Sequence, residues 1–336
     1  MKSQKLKIGN NLNVLFTCIG RRVSLLESFR RAAKRFRTGA SFFGTDTTQF
    51  SPALQLCDKG FLVKPITHPG YIKQLLAIVK NNRIKLLIPT VDLDLKLLAQ
   101  NSSKFTKLGC RVLVSSPEVL DICQDKRLTY RFLVKNGFDT PVTMSIRSAL
   151  SGRKLDWPCF LKPWDGSAGK GNAVVHNRKE LSFYAKNIPN PICQEYIEGI
   201  EFTCDVYVDF AMKVRCVVPR KRIEIRAGEV SKSQVVKDRH IMSSAKKLIE
   251  ALGAGPGLIT LQLFRDKKGR LKFTEINPRF GGGVPLSIRA GADFPKWILQ
   301  EMLGKPPGGR KKNIRLEDFK DGLVMLRYDS EVWLDN

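Results

Sequence analysis

From Leu12 to about Ser115 the apolar residues fall into two alternating patterns. Short runs of strand length (Val14-Leu-Phe16, Leu86-Leu-Ile88, Arg111-Val-Leu-Val114) are separated by segments with the i, i+3, i+4 spacing of amphipathic helices, Leu25 to Phe36 and Tyr71 to Lys80. Strands alternating with helices predict a parallel, Rossmann-like βαβ unit. Its first turn lacks Gly-x-Gly-x-x-Gly, so no dinucleotide is implied. Pro117-Glu118 opens a helix that carries Lys126 onward, and Gly137 marks its end. A small unit with a glycine-rich loop is expected from about Val142 to Ile188, then a larger antiparallel sheet from Pro191 to Leu303. Pro306-Pro-Gly-Gly309 closes that part. The tail from Ile314, with Asp321-Gly-Leu-Val-Met-Leu-Arg-Tyr328, predicts a helix-turn and a closing strand. The fold class is α/β, with units at 1–116, 117–190, 191–305 and 306–336; the sequence shows no internal repeat or low-complexity segment.

The densest chemistry lies at Glu275-Ile-Asn-Pro-Arg279, which ends the strand-like run Leu271-Lys-Phe-Thr-Glu and precedes Phe280-Gly-Gly-Gly283. On an extended segment, side chains at alternate positions share a face. Glu275 and Asn277 are then adjacent hard oxygen donors of the kind Mg²⁺ prefers, and Arg279 offers a planar fork of donors for phosphate or carboxylate oxygens. An exposed polar strand end would give the same local pattern. Two upstream segments argue against that plainer reading. In Phe160-Leu-Lys-Pro-Trp-Asp-Gly-Ser-Ala-Gly-Lys-Gly171, the glycines and Ser167 form a loop whose backbone N–H groups can wrap phosphate oxygens. Lys162, on the apolar strand before it, is placed to pair with phosphate. This is not a Walker loop, because Lys170 is followed by Gly171. In Ile192 to Asp209, two strand-like runs join through Gly199; backbone groups of the join can read an adenine edge, and Glu201 can bind ribose hydroxyls.

Asp125-Lys126, the glycine loop, this hinge, Thr260-Leu-Gln262 and Glu275-Ile-Asn277 follow one another in the order of an ATP-grasp enzyme. The chain resembles the ATP-grasp superfamily, and within it the stand-alone proteins that look like one synthetase half of the carbamoyl phosphate synthase large subunit. The resemblance runs from Asn13 to about Gly304 and includes Gly20-Arg-Arg-Val23, Gly44-Thr-Asp46 and Ile88-Pro-Thr-Val-Asp-Leu-Asp94. It implies a Rossmann-like pre-ATP-grasp domain followed by a two-subdomain ATP-grasp fold. It also implies that Lys126 and Lys162 contact ATP phosphates, that the loop containing Gly166, Ser167, Gly169 and Gly171 closes over them, and that Gln194, Glu195, Tyr196 and Ile197 hold adenine. Glu201 would bind ribose. Gln262, Glu275 and Asn277 would hold Mg²⁺, with Mn²⁺ as a substitute, and Arg279 would stabilise the transferred phosphoryl and an acyl phosphate. The chain departs from many members in having Gln194 where they carry a carboxylate. Gln262 replaces an acidic metal ligand, as in the carbamoyl phosphate synthase branch.

Other catalytic classes have little support. His68, His176 and His240 sit in no triad-like setting, and no cysteine adjoins a helix-start motif. Phosphoryl transfer needs instead Mg²⁺, cations and positioning. The expected reaction is attack of a substrate carboxylate on the ATP γ-phosphate, then capture of the acyl phosphate by an amine or thiol. Pro219 to Ser233 alternates charged and apolar residues, so Arg222 or Arg226 meets the substrate or acyl phosphate, or the segment is simply a half-exposed strand. The Ala227-Gly228-Glu229 turn would border that pocket.

Length and composition fit a multi-unit cytoplasmic enzyme: 336 residues, 43% hydrophobic, with no apolar run of about 18 residues. Lys2, Lys5 and Lys7 ahead of Leu12 to Ile19 fit a buried first strand better than a signal peptide. Eight cysteines without a Cys-x-x-Cys pair read as buried reduced thiols. The 58 basic against 31 acidic residues leave +27, spread over segments such as Arg30 to Arg37, Lys246-Lys247 and Arg310-Lys-Lys312 without interleaved aromatics. A basic surface explains this better than nucleic-acid binding. The expected partners are small-molecule carboxylate and amine substrates, with no membrane and with a homodimer as the family-level expectation. Two further readings stand beside the ligase. One is a carboxyphosphate- or carbamate-forming enzyme, although carbamoyl phosphate synthesis needs two synthetase units. The other is a non-catalytic ATP-binding regulatory protein.

Overall fold

Val14 and Phe16 point to one side of the first strand and Leu15 to the other, and all three are buried. Leu86 and Ile88 against Leu87 repeat the arrangement in the neighbouring strand. Burial on both faces is what turns alternation into an unbroken apolar run, and it marks a parallel sheet covered by helices on both sides. That sheet has the order β3-β2-β1-β4-β5, built from β1 (Asn11–Thr17), β2 (Gly39–Asp46), β3 (Lys59–Leu62), β4 (Ile84–Pro89) and β5 (Arg111–Val112), every pair parallel. Its helices are α1 (Val23–Lys34), α2 (Pro52–Gln55), α3 (Tyr71–Asn81), α4 (Leu95–Gln100) and α5 (Ser102–Lys107). The winding reverses between β1 and β4. A crevice therefore opens beyond the carboxyl ends of those two strands, the usual ligand position in such sheets. The computed structural model describes residues 11–36, 39–151, 155–166, 169–226, 228–309 and 314–334.

The helix expected from Pro117 is two helices, α6 (Pro117–Gln124) and α7 (Lys126–Lys135). The break falls at Asp125, whose extended backbone (φ −111°, ψ 109°) lets its carboxylate accept from Arg127 N as an N-cap. Lys126 thus opens a helix rather than continuing one. A small antiparallel sheet follows in the order β6-β9-β7-β8, with β6 (Thr143–Ser145), α8 (Ile146–Leu150), β7 (Cys159–Pro163), β8 (Ala173–Val175), α9 (Arg178–Asn187) and β9 (Pro191–Glu195). Because β9 pairs with β6 and β7, the small sheet runs past residue 190, where the sequence boundary was drawn.

The large sheet has the order β14-β13-β10-β11-β12-β15. Its elements are β10 (Gly199–Val208), β11 (Val214–Arg226), β12 (Glu229–Val235), α10 (Arg239–Leu252), β13 (Gly257–Asp266), β14 (Leu271–Asn277), α11 (Val284–Arg289), α12 (Phe294–Met302) and β15 (Val324–Leu326). The closing strand of the tail is present as β15 against β12, while turns rather than a helix precede it among the described residues. Asp238 caps α10, and Gly253 ends it in the left-handed region (φ 66°).

One apolar core joins the parallel and large sheets. Phe29 of α1 meets Phe280, which follows the Glu275 to Arg279 segment, at 5.8 Å between ring centroids. Burying each such side chain contributes about 1.5–3 kcal/mol. The join therefore holds the parallel sheet's crevice against the large sheet.

Candidate functional site

The antiparallel register of β13 and β14 sets Gln262 opposite Glu275 and Thr260 opposite Asn277. Across from them, β7 supplies Lys162, whose side chain is 5% exposed and whose Nζ lies 3.9 Å from a Glu275 oxygen. Burial pushes the Lys162 ammonium below the usual lysine range, and only then do Glu275 and Glu201 favour the charge. Lys126 Nζ donates to the Gly166 carbonyl at 2.5 Å. The backbone N–H of Lys126 donates to the Trp164 carbonyl, and the Arg127 guanidinium lies 3.8 Å over the Trp164 ring. The first turn of α7 is thus fastened to the base of the glycine loop. Ser167, with Ala168, lies outside the described residues, as do Ala227, Lys2, Lys5, Lys7 and Arg310-Lys-Lys312.

The hinge between the sheets is residues 195–199. Glu195 is not a free carboxylate, because Lys272 Nζ donates to both of its oxygens at 2.9 and 2.8 Å. Val142 N also donates to its Oε2 at 3.0 Å, and the Glu195 N–H donates to the Val142 carbonyl at 2.8 Å. Gln194 donates to Thr143 Oγ1 at 2.8 Å, which fixes its amide, and Tyr196 is 39% exposed beside it. Gly199 admits no side chain, since a Cβ there would sit 2.2 Å from the Arg265 carbonyl oxygen. Just beyond, Glu201 accepts from Arg222 Nη1 at 2.7 Å, and the same nitrogen donates to Gln262 Oε1 at 3.1 Å. Burial raises the Glu201 carboxyl above its ordinary range, against the pull of Arg222. Arg222 Nε is buried without a partner among the described residues.

These groups line a cleft of about 1100 Å³. Every sequence-derived site residue that is described borders it except Gly171 and Arg226. Of the two arginines left open by the sequence, Arg222 faces the cleft, whereas Arg226 is exposed and paired with Glu224 at 2.9 Å. The lining carries seven cations (Arg22, Lys96, Lys126, Lys162, Arg220, Arg222, Arg279) and eight carboxylates (Asp92, Asp121, Asp125, Asp165, Glu195, Glu201, Glu229, Glu275). The +27 excess of the chain therefore lies elsewhere. A family model described as an ATP-grasp domain matches residues 123–283, the stretch that contributes most of this lining. Residues 123–283 are an ATP-grasp domain.

The N-terminal part matches a PylC-like N-terminal domain over residues 14–113. Among curated relatives, the carbamoyl phosphate synthase large chain of Clostridium beijerinckii is 27% identical over 214 residues, 57% of this chain and 20% of that protein. That of Thermoplasma acidophilum is 23% identical over 252 residues, 68% of this chain and 24% of that protein. The chain spans about a fifth to a quarter of the length of these relatives. Among solved structures, the biotin carboxylase domain of Hydrogenobacter thermophilus 2-oxoglutarate carboxylase, in complex with MgADP and bicarbonate, superposes with a TM-score of 0.72 at 15% identity, over 93% of this chain and 73% of that one. The L-amino acid ligase of Bacillus licheniformis does so at 0.70 and 19% identity, over 92% and 78%. At these identities the likeness shows the fold.

Were Mg²⁺ held here, Glu275, Asn277 and Gln262 would give it one carboxylate and two amide oxygens. No group of three His, Cys, Asp or Glu side chains gathers for a metal among the described residues. So sparse an oxygen set fits a cation held largely by phosphate oxygens and water, as Mg²⁺ with a nucleotide is. Gln262 Oε1 is engaged by Arg222, so Glu275 and Asn277 are the readier donors.

Where the ATP-grasp domain meets the parallel sheet, the structure adds Asp92, Arg22, Arg220 and Arg327 beside Arg279 and the Glu229 turn expected to border the pocket. Arg279 donates through Nε and Nη2 to one oxygen of Asp92, at 2.9 and 2.5 Å. Arg22 lies 3.7 Å from Glu229, which also accepts from Arg327 at 2.9 Å. Burial raises the Glu229 carboxyl, but Arg327 and Arg22 together hold it below its ordinary range. Gly283 packs against Arg220, with a Cβ there falling 2.2 Å from Nη1, so the glycine run after Arg279 serves close packing. The available signal is position: Asp92 lies three residues beyond the apolar strand β4 of a parallel sheet, at its switch point.

Proposed function

We propose that this chain is an ATP-dependent carboxylate–amine ligase that works through an acyl phosphate and releases ADP and phosphate. The observation that carries the reading is that Lys126, Lys162, Arg222 and Arg279 converge with the oxygen donors Glu275 and Asn277 on one cleft of an ATP-grasp domain. Residues 195–197 present backbone to the adenine, and Glu201 turns from Arg222 to the ribose. Lys162, held desolvated on β7, gains most from a phosphate, because a buried ammonium has little water to lose. Mg²⁺, when bound with the nucleotide, neutralises the phosphate charge and orients the γ-phosphoryl group. The substrate carboxylate then attacks phosphorus from the Arg279 side, and the guanidinium bears the charge that develops on the phosphoryl and remains on the acyl phosphate.

The test is ADP release with Mg²⁺ and ATP against carboxylates (acetate, succinate, bicarbonate, the common amino acids) crossed with ammonium, methylammonium and the same amino acids, with Glu275→Gln as the control. Release that needs one carboxylate and one amine, and vanishes in the control, is the expected result. The named relatives favour one specific rival, because carbamoyl phosphate synthase large chains stand among them. Release with bicarbonate alone would establish that rival. ATP binding without release under any pair would point to a nucleotide sensor.

A further inference from the structure

Asp92 stands at the mouth of the switch-point crevice and faces the arginine expected to bear the acyl phosphate. Both Arg279 contacts fall on Oδ2, and Oδ1 has no hydrogen-bond partner among the described residues. The carboxylate is 23% exposed, and its backbone is fixed from behind, since Gln124 donates to the Asp92 carbonyl at 2.7 Å. Around it the cleft wall is charge-balanced: Arg22, Lys96 and Arg279 face Asp92, Asp121 and Glu229. Asp121 is bound by Lys96 at 2.5 Å, and Glu229 by Arg327 and Arg22. Asp92 is therefore the carboxylate of this wall whose partner, Arg279, the reaction itself calls away, and its second oxygen is open beside that pair.

We propose that this wall is the acceptor subsite, that it takes a substrate bearing a primary ammonium, and that Asp92 both docks that ammonium and removes its proton. The inference rests on the ligase reading above. An ammonium donates to Oδ1, then shares Oδ2 as Arg279 swings to the acyl phosphate. Docking of the amine and release of Arg279 are thereby one exchange of partners on a single carboxylate. The ammonium passes a proton to the Asp92 carboxylate, and the amine nitrogen forms a bond to the acyl carbon. The carbon–oxygen bond to phosphate breaks with its electron pair leaving on inorganic phosphate, which takes up the second proton that the nitrogen sheds as the amide forms. A carboxylate in this position supplies what a protonated amine needs and a nucleophile that is neutral at pH 7 does not.

Hydroxylamine is such a nucleophile, and it traps acyl phosphates as hydroxamates. Full-length protein with Mg²⁺ and ATP, given each carboxylate of the panel above, is assayed in parallel with hydroxylamine and with the amine that supports ADP release. The readout is the ratio of amide to hydroxamate. Asp92→Asn is expected to lower that ratio about 100-fold, the usual worth of a positioned base, with a rise in KM for the amine and partial recovery in Asp92→Glu. A merely structural role for the Asp92–Arg279 pair would move both products together. An unchanged ratio, whether both products fall or neither does, overturns the proposal. Absence of hydroxamate from the unmodified protein with every carboxylate overturns the ligase reading and this one with it. Amide loss in Asp92→Asn while hydroxamate persists overturns neither.

Discussion

The two ends of the cleft hold charged side chains in contrasting ways. At the nucleotide end, Lys162 and Arg222 are 5% and 8% exposed in their side chains, pinned between Glu275, Glu201 and Gln262, and their elements belong to one domain. At the seam, Arg279, Asp92, Arg22 and Glu229 are 16–31% exposed and pair across domains. Desolvated charges in fixed partnerships pre-organise a site, whereas half-exposed pairs exchange partners at little cost. The nucleotide end is built to hold one ligand chemistry, and the seam is built to change hands.

The largest test of that contrast is at the chemistry itself. Glu275→Gln or Arg279→Ala should lower turnover at least 10²- to 10³-fold, the typical loss for one well-placed charged group, with the melting transition preserved. ADP release under saturating ATP measures it. Near-normal turnover in both variants would remove the functional assignment of the whole cleft.

Below the seam, Asp94 is fully buried and receives the Tyr71 hydroxyl at 3.1 Å. Burial raises its carboxyl from 3.8 to about 6. The folded value exceeds the unfolded one, so its favourable contribution is complete below about pH 4 and is lost as pH rises through 6. Stability should decline by roughly 3 kcal/mol across that window from this group, and Asp94→Asn should flatten the profile. Unfolding midpoints between pH 4 and 7.5 check it. A variant profile as steep as the original would mean that another group drives the change.

How much of this the sequence disclosed follows the same divide. The nucleotide end was legible because its parts lie in order within one domain: a lysine at a helix start, a glycine loop, a hinge and an alternating Glu-x-Asn strand end. The seam was not, since the Arg279–Asp92 pair joins residues 187 apart, and no local pattern signals it. Arg222 and Arg226 were indistinguishable because strand periodicity puts both on one face. Register shifts on either side of Glu224 break that periodicity and turn Arg226 outward. The single helix read from Pro117 failed at Asp125, where a cap residue was mistaken for a helix interior. The end of the small sheet was misjudged because strand partners are chosen by tertiary pairing, and β9 follows β7 rather than β10.

A third test weighs holding against folding at the nucleotide end. Lys162→Met removes a desolvated charge, so the protein without nucleotide should melt no lower than before. Its dissociation constant for Mg²⁺-ATP should rise about tenfold or more, costing about 1.4 kcal/mol of nucleotide-dependent stabilisation. Thermal shifts over an ATP titration separate the two effects. A variant that melts lower without nucleotide, and keeps its ATP response, would make Lys162 a structural residue.

The smallest expected effect is also the sharpest on the seam. Arg327 comes from the tail just after β15 and reaches Glu229 at 2.9 Å, with side chains 38% and 31% exposed. A pair that wet contributes at most about 1 kcal/mol to stability, so Arg327→Met should shift the melting transition only slightly. Its consequence lies in which partner Glu229 keeps. Arg22 stands 3.7 Å from the same carboxylate, and once Arg327 is gone it is the cation left to close on it. Gly282 lies beside both Arg22 Nη1 and the Glu229 carboxylate, so that closer pairing would tighten the wall near Asp92. The KM for the acceptor should therefore move a few-fold while the KM for ATP stays fixed. A matching shift in both constants would mean that the two ends of the cleft are mechanically one, and that the contrast between them is of exposure only.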